Sequence, residues 1–133
     1  MLKDAHVMVT YSISDIEKAK HFYSEILGLE VTSLGENMLS LNVKGSTVAM
    51  YLKKNHTPAT YTILNFTVDD VKKTMNELKE KGVEFIHYKP EEISEVSPDK
   101  MKIDDDGMAD FGGSFKIAFF NDPAGNNLAI LQM

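Results

Sequence analysis

Four histidines, the acidic run Asp104-Asp105-Asp106 and scattered serines are the side chains that could bind a cation or move a proton. A divalent ion needs several imidazoles or carboxylates converging on one point. The histidines do not offer that pattern. His6 falls on a strand, His21 on a helix among polar neighbours, His56 in a linker, and His87 near a strand end. None has a second donor at metal spacing. The acidic run lacks the alternating carboxylates that an EF-hand loop requires before its glycine, here Gly107, and reads as a solvated charge run. Cysteine is absent, which removes thiolate sites, disulfides and thiol nucleophiles. No serine occupies a G-x-S-x-G elbow, and no glycine-rich phosphate loop is present. No nucleophile–base arrangement can be defended from the sequence. Gly112-Gly113, after Phe111, reads as a flexible point or a bulge before the next strand.

The elements that would position these groups are legible. Val7–Ile13 has strand chemistry. Ser14-Asp15-Ile16-Glu17 has the form of a capping box with Ser14 as N-cap, followed by Ile16, Ala19, Phe22, Tyr23, Ile26 and Leu27 at helical spacing. Gly28 ends the helix. Strands are expected at 29–34, 38–43 and 47–52, with turns at Gly35-Glu36-Asn37 and Lys44-Gly45-Ser46. After a linker at 54–60 that contains Pro58, the order repeats. Strand 61–68 leads to a helix with Asp69 as N-cap and Val71, Met75 and Leu78 as its apolar stripe. Gly82 closes that helix, and strands follow at 83–88, 115–120 and 127–131. The halves overlay: Ile13-Ser14-Asp15-Ile16 on Val68-Asp69-Asp70-Val71, Gly28 on Gly82, and Gly45-Ser46-Thr47-Val48-Ala49 on Gly125-Asn126-Asn127-Leu128-Ala129. An internal repeat of this length is a fold-level signal.

The expected fold class is α+β: two βαβββ modules forming a curved, partly open mixed β-sheet with helices outside. One domain is expected over 1–133, with module 1 at about 5–53, the linker at 54–60, and module 2 at about 61–133. The second module carries a long irregular loop at 89–113, with Pro90 and Pro98. The chain is large enough for a real core, and 43% hydrophobic content suits a globular protein. All 14 basic residues are lysine and the net charge is −6, which argues against nucleic acid. No apolar run approaches the ~20 residues of a membrane span. Met1-Leu2-Lys3-Asp4 lacks a signal-peptide pattern, so the expected location is the cytoplasm.

Two motifs resemble one family. Ile13-Ser14-Asp15-Ile16 leading through Phe22-Tyr23 to Leu27-Gly28-Leu29, and Asn121-Asp122-Pro123-Ala124-Gly125-Asn126-Asn127-Leu128, are similar to the module entry and closing hairpin of the vicinal oxygen chelate superfamily. That group includes glyoxalase I, extradiol dioxygenases, fosfomycin-resistance proteins and bleomycin-binding proteins. The resemblance implies four metal positions on the inner face, which fall on Met8, Ala49, Ile63 and Ala129. Alanine and isoleucine have no donor electrons, and a thioether suits soft copper only, so no metal and no cofactor are expected.

Strand alternation then gives the inner lining. The candidate ligand-binding residues are His6, Met8, Thr10, Ala49, Tyr51, Tyr61, Ile63, Asn65, Asn127 and Ala129, with no catalytic residue. This mixture suits a neutral, amphipathic or aromatic small molecule, or else the same residues fill a closed barrel. The leading expectation is a metal-free binding protein that sequesters an antibiotic or metabolite, acting as a homodimer. The alternatives are a metal-dependent lyase, dioxygenase or thiol transferase, and a regulatory domain with a vestigial cavity.

Overall fold

Alternation sorts the side chains in the second half of the first strand, while Val9, on the face of Tyr11 and Ile13, stays exposed. In β1 (Met8–Ile13), Tyr11 and Ile13 are buried while Met8 and Thr10 are exposed. The computed structural model describes residues 1–94 and 100–133, so Pro98 lies outside the described residues. The chain divides into two units, Met1–Pro58 and Ala59–Met133.

In the first unit, β1 leads into α1 (Ile16–His21), which widens into a π turn over Phe22–Ile26. Then come β2 (Glu30–Ser33), β3 (Met38–Val43) and β4 (Ser46–Leu52). The strand order is β1-β4-β3-β2, with β1 and β4 parallel and the other pairs antiparallel. A parallel pair needs a crossover, and the helix and β2–β3 hairpin supply it. One face of this sheet carries Tyr11, Ile13, Leu39, Leu41, Val48 and Met50, all buried, along with Ala19, Phe22 and Tyr23 from the helical segment. The π turn is marked by the Leu27 N–H donating to the Phe22 carbonyl at 2.9 Å. Adjacent residues Phe22 and Tyr23 are both buried, with their rings edge to face at 5.3 Å.

The second unit contains β5 (Thr62–Thr67), α2 (Val71–Glu80), β6 (Phe85–Ile86), α3 (Pro90–Ile93), β7 (Lys102–Ile103), β8 (Ala109–Asp110), β9 (Lys116–Asn121) and β10 (Asn127–Gln132). Its strand order is β5-β10-β9-β8-β7, with β6 paired to β9. Again the first and last strands are parallel. The strands thus pair as two sheets, one of four strands and one of six.

Both helices start one residue later than capping patterns predicted. Ser14 and Asp69 are not the N-caps. Asp15 accepts from the Lys18 N–H at 2.9 Å, and Asp70 accepts from the Lys73 N–H at 3.1 Å, each on extended backbone. Aspartate and serine cap comparably, but the aspartate charge also favours the positive helix end. Asp15 and Asp70 hold equivalent places in the repeat.

Outside residues 95–99, which are not described, the segment expected as an irregular loop at 89–113 contains regular elements. It holds α3, β7 and β8. Its apolar residues Ile93, Ile103 and Phe111 pack with Tyr88, Phe115 and Leu131 on Ala109, Ile117, Phe119 and Ala129. Lys116–Asn121 therefore has four consecutive buried residues, Ile117-Ala118-Phe119-Phe120. A strand covered on both faces reads as a continuous apolar run: α2 covers one face and this segment covers the other.

Candidate functional site

The two units place the expected binding residues differently. In the first, Met8, Thr10, Ala49 and Tyr51 share the face opposite α1. Thr10 pairs with Ala49, Met8 with Thr47, and Ser12 with Tyr51. Met8 is 57% exposed, and His6 just before it is exposed too, whereas Ala49 is 2% exposed. On the same face Ser12 Oγ lies 2.6 Å from His56 Nδ1. That bond ties the segment after β4 back to β1. It links two residues that strand spacing could not connect, since His56 reads only as part of a linker.

In the second unit the register holds a bulge. Thr62 pairs with Asn127, but Leu64 pairs with Leu128 and Asn65 with Ala129, leaving Ile63 as the extra residue. Thr62 consequently turns to the same side as Asn127, and its hydroxyl donates to Asn127 Oδ1 at 2.7 Å. The amide continues the chain, with Asn127 Nδ2 donating to the Tyr88 hydroxyl at 2.6 Å. The Tyr88 ring stands edge to face on Phe119, centroids 5.1 Å apart.

These residues enclose a recess of about 200 Å³ lined by Thr60, Tyr61, Thr62, Tyr88, Glu92, Ile93, Phe119 and Asn127. Of the expected residues, Tyr61 and Asn127 line it. Asn65 and Ile63 lie further along β5, and Ala129 is enclosed in the apolar cluster beneath. Thr62, Tyr88, Glu92 and Phe119 were missed. A strict period of two skips Thr62, and nothing in the sequence brings residues near 90 onto this strand pair.

A model of the Glyoxalase/Bleomycin resistance protein/Dioxygenase superfamily matches residues 5–130. The chain belongs to this superfamily. It is 35% identical over 66 residues to the metallothiol transferase FosB of Staphylococcus epidermidis, covering 47% of this chain and 48% of that protein. It is 31% identical over 91 residues to FosB of Staphylococcus haemolyticus, covering 64% and 66%. The matches thus span about half to just under two thirds of those relatives. Among solved structures, a glyoxalase family protein from Bacillus anthracis is similar with a TM-score of 0.67 at 18% identity, covering 99% of this chain and 98% of the other. TnmS3, an antibiotic binding protein from Streptomyces sp. CB03234, gives 0.66 at 22%, also covering 99% and 98%. At these identities the structural likeness establishes the superfamily fold.

The residues at the four positions that the family resemblance assigns to a metal do not fit one. Ala49 and Ala129 offer only methyl groups and are buried, Ile63 offers hydrocarbon, and Met8 a thioether. Among the described residues, no three His, Asp or Glu side chains gather into a possible cation site. Nor is any described helix long and apolar enough to cross a membrane.

Two of the three aspartates of the acidic run, Asp104 and Asp106, are paired rather than merely solvated, while Asp105 is exposed. Lys72 bridges Asp104 and Asp106, the latter at 2.8 Å, and Lys79 reaches Asp106 at 2.7 Å. Asp104 Oδ1 also accepts from the backbone N–H groups of Asp106 and Met108. The segment carrying β7 and β8 is thereby fastened to α2. Hydrogen bonds from Lys72 and then Lys79 hold the Asp106 carboxyl down at about 2. For Asp104, burial opposes ionisation, but the Lys72 and backbone hydrogen bonds outweigh it and lower the pKa. Burial likewise opposes charge on Lys72, yet its two carboxylate partners raise its pKa.

A depressed folded-state pKa contributes stability that is present above the unfolded value and lost as pH falls through the folded one. The ties from Asp106 to Lys72 and Lys79 of α2 should therefore weaken as pH drops from 3.8 to about 2. Because the pairs are exposed, the effect stays local and salt-sensitive. NMR titration of Lys72→Met checks this: the Asp106 midpoint should move up toward the ordinary carboxylate value, and an unmoved midpoint refutes the pairing.

Proposed function

We propose that this superfamily member is a small-molecule-binding protein that captures its ligand without a catalytic metal, with an antibiotic or metabolite as the ligand. What supports the reading is the lack of donor groups at Met8, Ala49, Ile63 and Ala129, the positions the resemblance assigns to a metal, together with a polar-lined recess in the second unit. A binding site needs shape and a few placed hydrogen bonds, and the Thr62–Asn127–Tyr88 chain supplies these. The antibiotic-binding activity named for TnmS3 supports the ligand class, since that protein has a similar fold. Of the candidate residues, Tyr61 and Asn127 contribute contacts within the recess of the second unit in this reading; His6, Thr10 and Tyr51 of the first unit and Asn65 of β5 are proposed ligand contacts outside it. The protein works in the cytoplasm as a homodimer; β1 is an edge strand with Val7, Met8 and Val9 exposed, the kind of edge a second copy covers.

A second reading is a metal-dependent thiol transferase, favoured by the similarity to FosB. Metal analysis of untagged protein purified without chelator separates the two. The binding reading expects no stoichiometric Zn, Mn, Ni or Fe, and one ion per chain held by this chain's own side chains would overturn it. Thermal-shift screening tests the binding itself. A ligand at a hundredfold excess over Kd should add about 2.7 kcal/mol, and a library without a single hit would leave the cavity without a function.

A further inference from the structure

We infer that the recess of the second unit selects neutral or cationic ligands bearing a carbonyl-type acceptor and N–H donors, and rejects anions. The inference rests on the binding reading above and specifies its chemistry.

Hydrogen bonding around the recess has a direction. The Thr62 hydroxyl donates to Asn127 Oδ1, and Asn127 Nδ2 donates to the Tyr88 oxygen. The Tyr88 proton then has no acceptor among the described residues, although its ring lines the recess. A bound acceptor atom would complete the series, and a series of aligned donors strengthens its last member. Glu92 supplies the opposite chemistry. One carboxylate oxygen accepts from the Lys89 N–H at 2.9 Å, and the other has no partner among the described residues. No lysine lines the recess, and the chain carries a net charge of −6. An anion here would face a carboxylate with no compensating cation. Phe119 and Ile93 give the apolar wall on which a flat group can rest. A volume of about 200 Å³ admits one substituted ring.

Three nearly isosteric probes isolate the charge and hydrogen-bond terms: benzamide, benzamidine and benzoate, titrated into 15N-labelled protein. Benzamide offers both a carbonyl and an N–H donor, benzamidine only donors with a positive charge, and benzoate only acceptors with a negative charge. Benzamide should shift the amides of Thr62, Tyr88 and Asn127 with an affinity at least about tenfold above that of benzoate. Tyr88→Phe should weaken benzamide about tenfold and leave benzamidine nearly unchanged. Glu92→Gln, on an exposed residue whose replacement leaves the core intact, should weaken benzamidine about tenfold and narrow the gap to benzoate.

Benzoate binding as well as benzamide at these amides overturns the inference. So do no shifts from any of the three probes, or two variants that leave every affinity unchanged. The binding reading survives such results when the thermal-shift library still yields hits, and falls with them when no compound of any charge binds.

Discussion

Replacing Asp122 with alanine should cost about 3 kcal/mol and lower the melting temperature by about 10 °C. Asp122 is buried in the turn between β9 and β10, where Pro123 early and Gly125 late meet ordinary turn chemistry. Its Oδ1 accepts from the backbone N–H groups of Ala124 and Asn126 at 2.9 Å each, and its Oδ2 accepts from Asn126 Nδ2 at 3.0 Å. Alanine removes the acceptor of three hydrogen bonds, two of them to the buried Asn126 and one to the half-buried Ala124, and losing the acceptor of a buried donor costs about 1–3 kcal/mol. Asp122→Asn keeps an acceptor at one oxygen but sets an amide against the Asn126 amide, so it should lose about half as much. Urea unfolding of both variants measures this; a loss below about 1 kcal/mol for alanine would show that the turn does not depend on its carboxylate. The functional link is direct, because the next residue after the turn is Asn127, the middle member of the recess hydrogen bonds. Asp122→Ala should therefore weaken benzamide binding as well as the fold.

Gly107→Ala should be nearly as damaging, at about 3 kcal/mol. Gly107 has φ +93°, which costs an alanine about 1–2 kcal/mol. A Cβ there would also stand 2.8 Å from the Ile86 carbonyl oxygen and 3.3 Å from the His87 ring. Ile86 belongs to β6 and pairs with Phe119 of β9, so its oxygen cannot retreat without disturbing that ladder. Overpacking against backbone adds about 1–3 kcal/mol. Gly45→Ala is the matched control. It has φ +77° but open space within 4 Å, so it should lose only about 1 kcal/mol. Hydrogen exchange over β7 and β8 should accelerate in the Gly107 variant and not in the Gly45 variant. Equal losses at the two glycines would mean that the contact with Ile86 yields easily.

Most of the fold is visible in the sequence because its signals are local. Strand alternation, glycines at 28, 45, 82 and 125 with positive φ, and a duplicated helix entry all act within a few residues. The one-residue error at both helix starts shows the limit of such signals. Ser14-Asp15 and Asp69-Asp70 each offer two competent caps in a row, and only backbone geometry chooses between them.

The site is less legible because it depends on pairing between distant segments. Asn127 could be placed by counting from the turn glycine, but Thr62 needed the bulge, which appears only when β5 is laid against β10. Tyr88 and Glu92 needed the path of segment 89–113, whose charged and proline-rich composition resembles a free loop. Its apolar residues Ile93, Ile103 and Phe111 are too widely spaced to show a period. The aspartates of that segment looked solvated for the same reason: their lysine partners lie more than twenty-five residues away in the chain, on a helix face that periodicity marks simply as polar.

The recess also carries its own optical reporter. The chain has no tryptophan, so its near-ultraviolet emission comes from five tyrosines, with no indole to drain the excitation. Tyr11 and Tyr23 are joined hydroxyl to hydroxyl within the first unit and give a steady background. Tyr61 is 69% exposed and Tyr88 contacts Asn127, and both line the recess. A molecule settling there changes the surroundings of two of the five fluorophores at once, so occupancy can be followed on unmodified protein, without a dye or an engineered label.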